Sequence, residues 1–206
     1  MRSSPFMDPP VADFTSRVIV LNEAAWRLRR AAPRPAELPF ALALFSDEKR
    51  TPDILKMAEG LPDGGEPIAV IFRHDGLPAD ERLRLAGEVR DVVQAKGHLF
   101  LMARRPLPGA DGVHAGEGEG LRTAPVHDED EIVRAVMDEV DAAFLSPVYA
   151  TQSHPGATPL GRSRAVALAQ AARVPLLALG GMNERTAASL EGAPFQGFGA
   201  IGAFTG

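Results

Sequence analysis

The chain reads as a compact α/β protein, a (β/α)8 barrel. Three observations predict it. Eight short apolar runs recur along the sequence, helical patterns separate several of them, and polar residues gather where the runs end. Nearly continuous apolar runs suit strands buried on both faces, as in parallel sheets flanked by helices. Eight of them suit a closed TIM-type barrel. A doubly wound open sheet is the alternative.

The elements follow in order. Residues 1–38 read as an N-terminal extension and residues 39–206 as a single barrel domain. Met1 to Asp13 is rich in Pro and Ser and is expected to be loosely held. Asn22 to Arg30 reads as a short helix, which "APRPAELP" ends. The strand runs are Phe40–Phe45, Ile68–Phe72, His98–Met102, Gly112–Val113, Thr123–Val126, Ala142–Leu145, Pro175–Leu179 and Gly197–Ile201. Helical patterns cover Ala79–Ala95, Asp128–Glu139, Ser163–Ala172 and Glu184–Leu190. "ARRPLPGAD", between the third and fourth runs, is too short for a helix, so some outer helices are expected to be shortened or missing. Gly206 lies five residues beyond the eighth run, so an eighth outer helix is not expected there. The segment around Asn22–Arg30 is expected to cover part of that gap.

Composition narrows the function. A net charge of −5 with no basic stripe argues against nucleic acid. The absence of cysteine removes disulfides, thiolate nucleophiles and Cys-type zinc sites. No apolar run approaches the ~18 residues of a membrane span. The N-terminus lacks the apolar core of a signal peptide, so a cytoplasmic protein is expected. The only lysines are Lys49, Lys56 and Lys96, so no late element can supply a Schiff-base amine. A homodimer is compatible with all of this.

In such barrels the site lies at the C-terminal ends of the strands. His74, His114, His127 and His154 fall there, as do Arg73, Asp75, Asp111, Glu117, Glu119 and Ser146. His98 begins a run and reads as structural. A polar group at a strand end also satisfies the backbone, so each residue has a bland reading beside the functional one. Gly180-Gly181 after the seventh run and Gly199 and Gly202 around the eighth would let backbone amides approach a phosphate. Asn183 there can cap the helix that follows.

The segments "ADGVHAGEGEG", "APVHDEDEIVRA", "AAFLSPVYATQSHPGATPLG", "VPLLALGGMNERTAASL" and "GFGAIGAF" stand in an order and at a spacing that resemble thiamine phosphate synthase and its relative, the thiazole tautomerase. The likeness covers about residues 40–204, with residues 142–183 the most specific. It implies an enzyme that joins a pyrimidine methyl pyrophosphate to a thiazole phosphate and releases pyrophosphate, with Mg²⁺ on the pyrophosphate. The implied site places Arg73, His127 and Ser146 in catalysis. It gives Thr151, Ser153, His154, Gly180, Gly181, Gly199 and Gly202 to the substrates and phosphates, and Glu119 to the metal. Several positions depart from the family pattern. Asp75 and His154 stand where it has lysines, Ile71 where it has glutamine, and Ala103-Arg104 where it has the Asn-Asp pair whose aspartate helps bind Mg²⁺. Arg104 and Arg105 could form an electrostatic clamp in place of that metal. The tautomerase likeness would make His127 a proton shuttle; the bland alternative is a helix cap. A non-catalytic binder of such phosphates, and a hydrolytic metal site of His74, His114 and His127, complete the alternatives.

Overall fold

A computed structural model describes residues 13–151, 156 and 158–202. The chain begins with α1 (Phe14–Arg30), β1 (Leu42–Phe45), α2 (Ile54–Glu59), β2 (Ile68–Phe72), α3 (Ala79–Ala95) and β3 (Leu99–Ala103). It continues through β4 (Gly112–His114), β5 (Leu121–Val126), α4 (Glu129–Met137), β6 (Ala142–Leu145), α5 (Gly161–Ala171), β7 (Leu176–Ala178), α6 (Glu184–Ala188) and β8 (Phe195–Ala200). The strands are all parallel and close in sequence order, with β1 beside both β2 and β8. Closure rules out the open sheet. It leaves no sheet edge and buries both faces of each strand, which is why β1, β2 and β6 read as unbroken apolar runs.

Side chains divide by the period of two. Ala43, Phe45, Ala69, Ile71, Leu101, Phe144 and Leu177 fill the barrel interior. Leu42, Leu44, Ile68, Val70 and Phe72 face the helices. One strand therefore serves two cores.

The N-terminal helix is longer than the sequence predicts. It starts at Phe14, because Asp13 accepts the Ser16 N–H at 3.0 Å. The β-branched run Val18-Ile19-Val20 hides it in a propensity reading. Its helical spacing is nevertheless present, since Val18, Leu21, Ala25 and Leu28 are fully buried. α1 packs against β8, α6 and β1 on the outside of the barrel. Arg29 locks it there from below: its buried guanidinium donates to the carbonyls of Gln196 at 2.9 Å, Leu38 at 2.7 Å and Phe40.

The helix α2 is a further element the sequence reading passes over; Asp53 caps it by accepting the Lys56 N–H at 3.2 Å. Among the described residues no helix separates β3 from β4 or β4 from β5. The loop of residues 115–120 lies flat on β4 instead. A Cβ at Gly116 would stand 2.5 Å from the Arg104 carbonyl oxygen, one at Gly118 2.6 Å from Val113 Cγ2, and one at Gly120 2.3 Å from the Asp111 carbonyl oxygen. The repeat "AGEGEG" is therefore a packing device: every second residue must be glycine, and the glutamates between them project outward.

A candidate active site at the C-terminal mouth of the barrel

Two adjoining cavities open at the C-terminal ends of the strands. The larger, about 590 Å³, is walled by Arg17, Arg50, Gly180, Gly181, Asn183 and Gly202. The smaller, about 240 Å³, is walled by Phe45, Arg73, His114, Pro125, His127 and Ser146. Thr151, Leu179, Gly180 and Ile201 border both, so the two form one bent cleft with a polar arm and an apolar arm.

The β7 exit shapes the junction. Gly180 and Gly181 have φ of +88° and +64°. A Cβ on Gly180 would lie 2.9 Å from Pro147 Cα, and one on Gly181 would lie 2.5 Å from the Ala150 carbonyl oxygen. Glycine is required at both positions, because only it combines that backbone with the approach of the loop after β6. Asn183 caps α6, accepting the Arg185 and Thr186 N–H groups at 2.9 and 3.0 Å. Its capping role is thus present beside its place in the cavity wall.

Arg73 is held by groups the sequence reading did not single out. Its Nε donates to the Ser46 carbonyl at 2.8 Å, and its backbone N–H donates to Ser46 Oγ at 2.8 Å. Asp47 lies 3.4 Å from both Arg73 and Arg50, joining the cations of the two arms. Ser46 is fully buried and also meets His74 Nδ1 at 3.0 Å. A serine directly after an apolar run was the available signal for it.

The histidines separate. His114 points into the barrel, between the rings of Phe45 and Phe144 at 5.2 and 5.6 Å, with Thr123 Oγ1 at 3.0 Å from Nδ1. Burial pushes its pKa down to about 4, and the charges of Arg73 and Arg104 act in the same direction. His74 turns the other way. It stacks on Phe72 at 4.8 Å in the helix-facing layer, and burial lowers its pKa too. It therefore does not converge with His114 and His127, and among the described residues no three His, Cys, Asp or Glu could hold a metal. The hydrolytic metal reading fails on this geometry. His98 is structural as read, bonded to the Pro62 carbonyl at 2.8 Å.

His127 stands on the wall of the apolar arm. Its Nδ1 lies 2.7 Å from Glu131 Oε2, and its backbone N–H donates to the same oxygen at 2.8 Å. Asp128, not His127, caps α4 by accepting the Glu131 N–H at 2.9 Å. A carboxylate on Nδ1 favours the tautomer that leaves Nε2 as an acceptor.

Other expectations land elsewhere. Asp111 lies at the N-terminal end of β4, where it accepts the Phe100 N–H at 2.8 Å and a Gln94 side-chain N–H at 2.9 Å. Glu117 and Glu119 are exposed on the descending loop; Glu119 sits beside Gly120, which packs against Asp111 at the end of the barrel away from the cleft. Asp75 does not oppose the cations but organises them, at 3.0 Å from Arg82 and 2.9 Å from Arg104. Gly199 adjoins the polar arm, and its missing Cβ leaves room for the Phe45 ring, 2.7 Å from where that atom would stand. Ser153 and His154 lie outside the described residues.

A family model described as thiamine monophosphate synthase matches residues 42–204, the whole barrel. The chain belongs to the thiamine monophosphate synthase family. A protein of Geobacter sulfurreducens named putative thiamine-phosphate synthase is 31% identical over 170 residues, covering 72% of this chain and 79% of that protein. The thiamine-phosphate synthase of Chloroflexus aurantiacus is 27% identical over 156 residues, covering 68% and 72%. The solved structure of thiamine phosphate pyrophosphorylase from Pyrococcus furiosus superposes with a TM-score of 0.64 at 20% identity over 78% of this chain and 84% of that one, and shares the fold. Among the described residues no helix is long and apolar enough to cross a membrane.

Proposed function

We propose that this member of the family is a thiamine-phosphate synthase, a transferase that joins a pyrimidine methyl diphosphate to a thiazole phosphate. One observation carries the reading. A polar, arginine- and glycine-walled arm meets an apolar arm at Thr151 and Gly180, and Arg73 lines the apolar arm. The thiazole phosphate places its phosphate in the polar arm and its ring at the junction. The pyrimidine lies in the apolar arm, against Phe45 and Pro125. The bond between its methylene carbon and the diphosphate oxygen breaks, diphosphate leaves with that electron pair, and the thiazole nitrogen supplies the pair for the new C–N bond to the same carbon. Arg73, fixed by Ser46 and Asp47, would face the charge that grows on the leaving group, and Thr151 and Ser146, which line the same arm, would donate to it. The described carboxylates do not suit a protein-held Mg²⁺. Asp47 and Asp75 are each shared between two guanidiniums, Glu48 accepts the Gly76 N–H at 2.6 Å, and a hard dication needs oxygens not already neutralised. Arg73 and the Asp75-held Arg104 supply positive charge on that side in its place.

The test mixes purified protein with both substrates, with and without Mg²⁺, and follows thiamine phosphate. Formation of product, reduced about 100-fold in Arg73→Gln, supports the reading. Folded protein that makes none refutes it, and binding without turnover would point to a non-catalytic phosphate binder.

The His127–Glu131 pair favours a second reading, proton transfer on a thiazole phosphate, with Nε2 of His127 as the base. His127→Asn would then abolish tautomerisation while thiazole phosphate still binds; unchanged turnover sinks that role.

A further inference from the structure

The polar arm contains a residue from outside the barrel. Arg17 belongs to the first turn of α1, far in sequence from the glycines with which it lines the cavity. Its Nη2 lies 2.9 Å from Oε2 of Glu184, the first residue of α6. That contact draws the guanidinium against the β7–α6 connection, which carries Gly180, Gly181 and Asn183. Arg50 reaches the same cavity from the connection after β1, steadied by Asp47. The described residues lining this arm thus include two guanidiniums and no carboxylate. A guanidinium presents five N–H donors in a planar fork, so contact with one Glu184 oxygen is compatible with contact to a second anion.

We infer that Arg17 is a ligand-binding residue, and that α1 completes the phosphate site of the barrel by delivering it. The helix would then do more than cover the outer face of β8. It would report on the ligand's phosphate, with Arg50 acting from another element. A phosphate ester would be gripped by backbone amides on one side and by two cations on the other, which discriminates against the dephosphorylated alcohol. That the ester is a thiazole phosphate rests on the function proposed above; that the arm takes phosphate does not.

The competing view is that Arg17 only pins α1 to α6. Four proteins separate the two: the full chain, Arg17→Met, Arg17→Lys and Glu184→Gln. Binding of inorganic phosphate is measured by calorimetry, and stability by urea unfolding. Ion pairing with Glu184 is lost in both Arg17→Met and Glu184→Gln, so similar stability changes are expected in those two. Phosphate affinity should nonetheless fall at least about 10-fold in Arg17→Met, fall less in Arg17→Lys, and stay within about 3-fold in Glu184→Gln. Equal affinity in the full chain and Arg17→Met overturns the inference, as does an equal loss in Arg17→Met and Glu184→Gln. No phosphate binding by the full chain overturns it as well. If Arg17→Met does not fold, Arg17→Lys against Glu184→Gln decides the question by the same comparison. The synthase reading fails separately. A protein that binds phosphate through Arg17 but forms no thiamine phosphate keeps this inference and loses that one.

Discussion

Acidification should destabilise this protein through His114, and the size of the effect can be worked from its surroundings. The ring is 7% exposed, wedged between Phe45 and Phe144, and burial pushes its pKa down to about 4. In the unfolded chain it titrates near 6.5. The folded value is the lower one, so between those two pH values the unfolded chain binds more protons. Stability therefore rises with pH across that window and is lost as pH falls through it. At about pH 5 the unfolded histidine is nearly all protonated and the folded one mostly neutral, which removes about 2 kcal/mol relative to about pH 7.5. His74 and His98, also lowered by burial, act in the same sense. A single-protein measurement therefore cannot isolate His114. Urea unfolding of the wild type and His114→Gln at both pH values can. The variant should lose about 2 kcal/mol less on acidification, near 1 M in urea midpoint for an m-value of about 2 kcal/mol/M. An identical loss in both proteins would show that the interior ring is not kept neutral, and would refute the placement.

Arg29→Met should lower stability by about 3 kcal/mol, because three buried carbonyls lose their donor, and should lower the melting temperature by roughly 6–12 °C in a thermal scan. Gly181→Ala should cost about 2–4 kcal/mol in chemical denaturation, from a +64° φ and a Cβ 2.5 Å from the Ala150 oxygen, and should weaken phosphate binding with it. Glu131→Ala should leave thiazole phosphate affinity within about 2-fold but slow proton transfer about 10-fold, because no carboxylate then accepts the Nδ1–H of His127 and favours the tautomer with Nε2 as acceptor; an unchanged rate argues against the proton-transfer reading.

Much of the cleft was legible because its parts are local. Arg73, Ser146, Gly180 and Gly181 follow directly on apolar runs, Thr151 lies a few residues farther along the loop after β6, and each stands on the cleft wall. The same rule misplaced His74, Asp111 and Glu119. His74 lies two residues beyond Phe72 and so shares its outward face. Asp111 precedes its strand and sits at the wrong end. Glu119 follows β4 but lies on a loop that has already descended along it. Position after a strand specifies neither which face the pleat presents nor how far a connection has travelled.

The sequence by itself determined the barrel, since strands buried on both faces leave a continuous apolar signature, and it determined the glycine-lined exits, since a backbone with positive φ in close contact admits little else. Only the tertiary structure decided the charge balance of the site. Arg17 arrives on a helix separated from Glu184 by most of the chain, and Asp47 and Asp75 become partners of arginines rather than open ligands. Those pairings depend on which distant elements share the mouth when the barrel closes, and no local pattern encodes that distance.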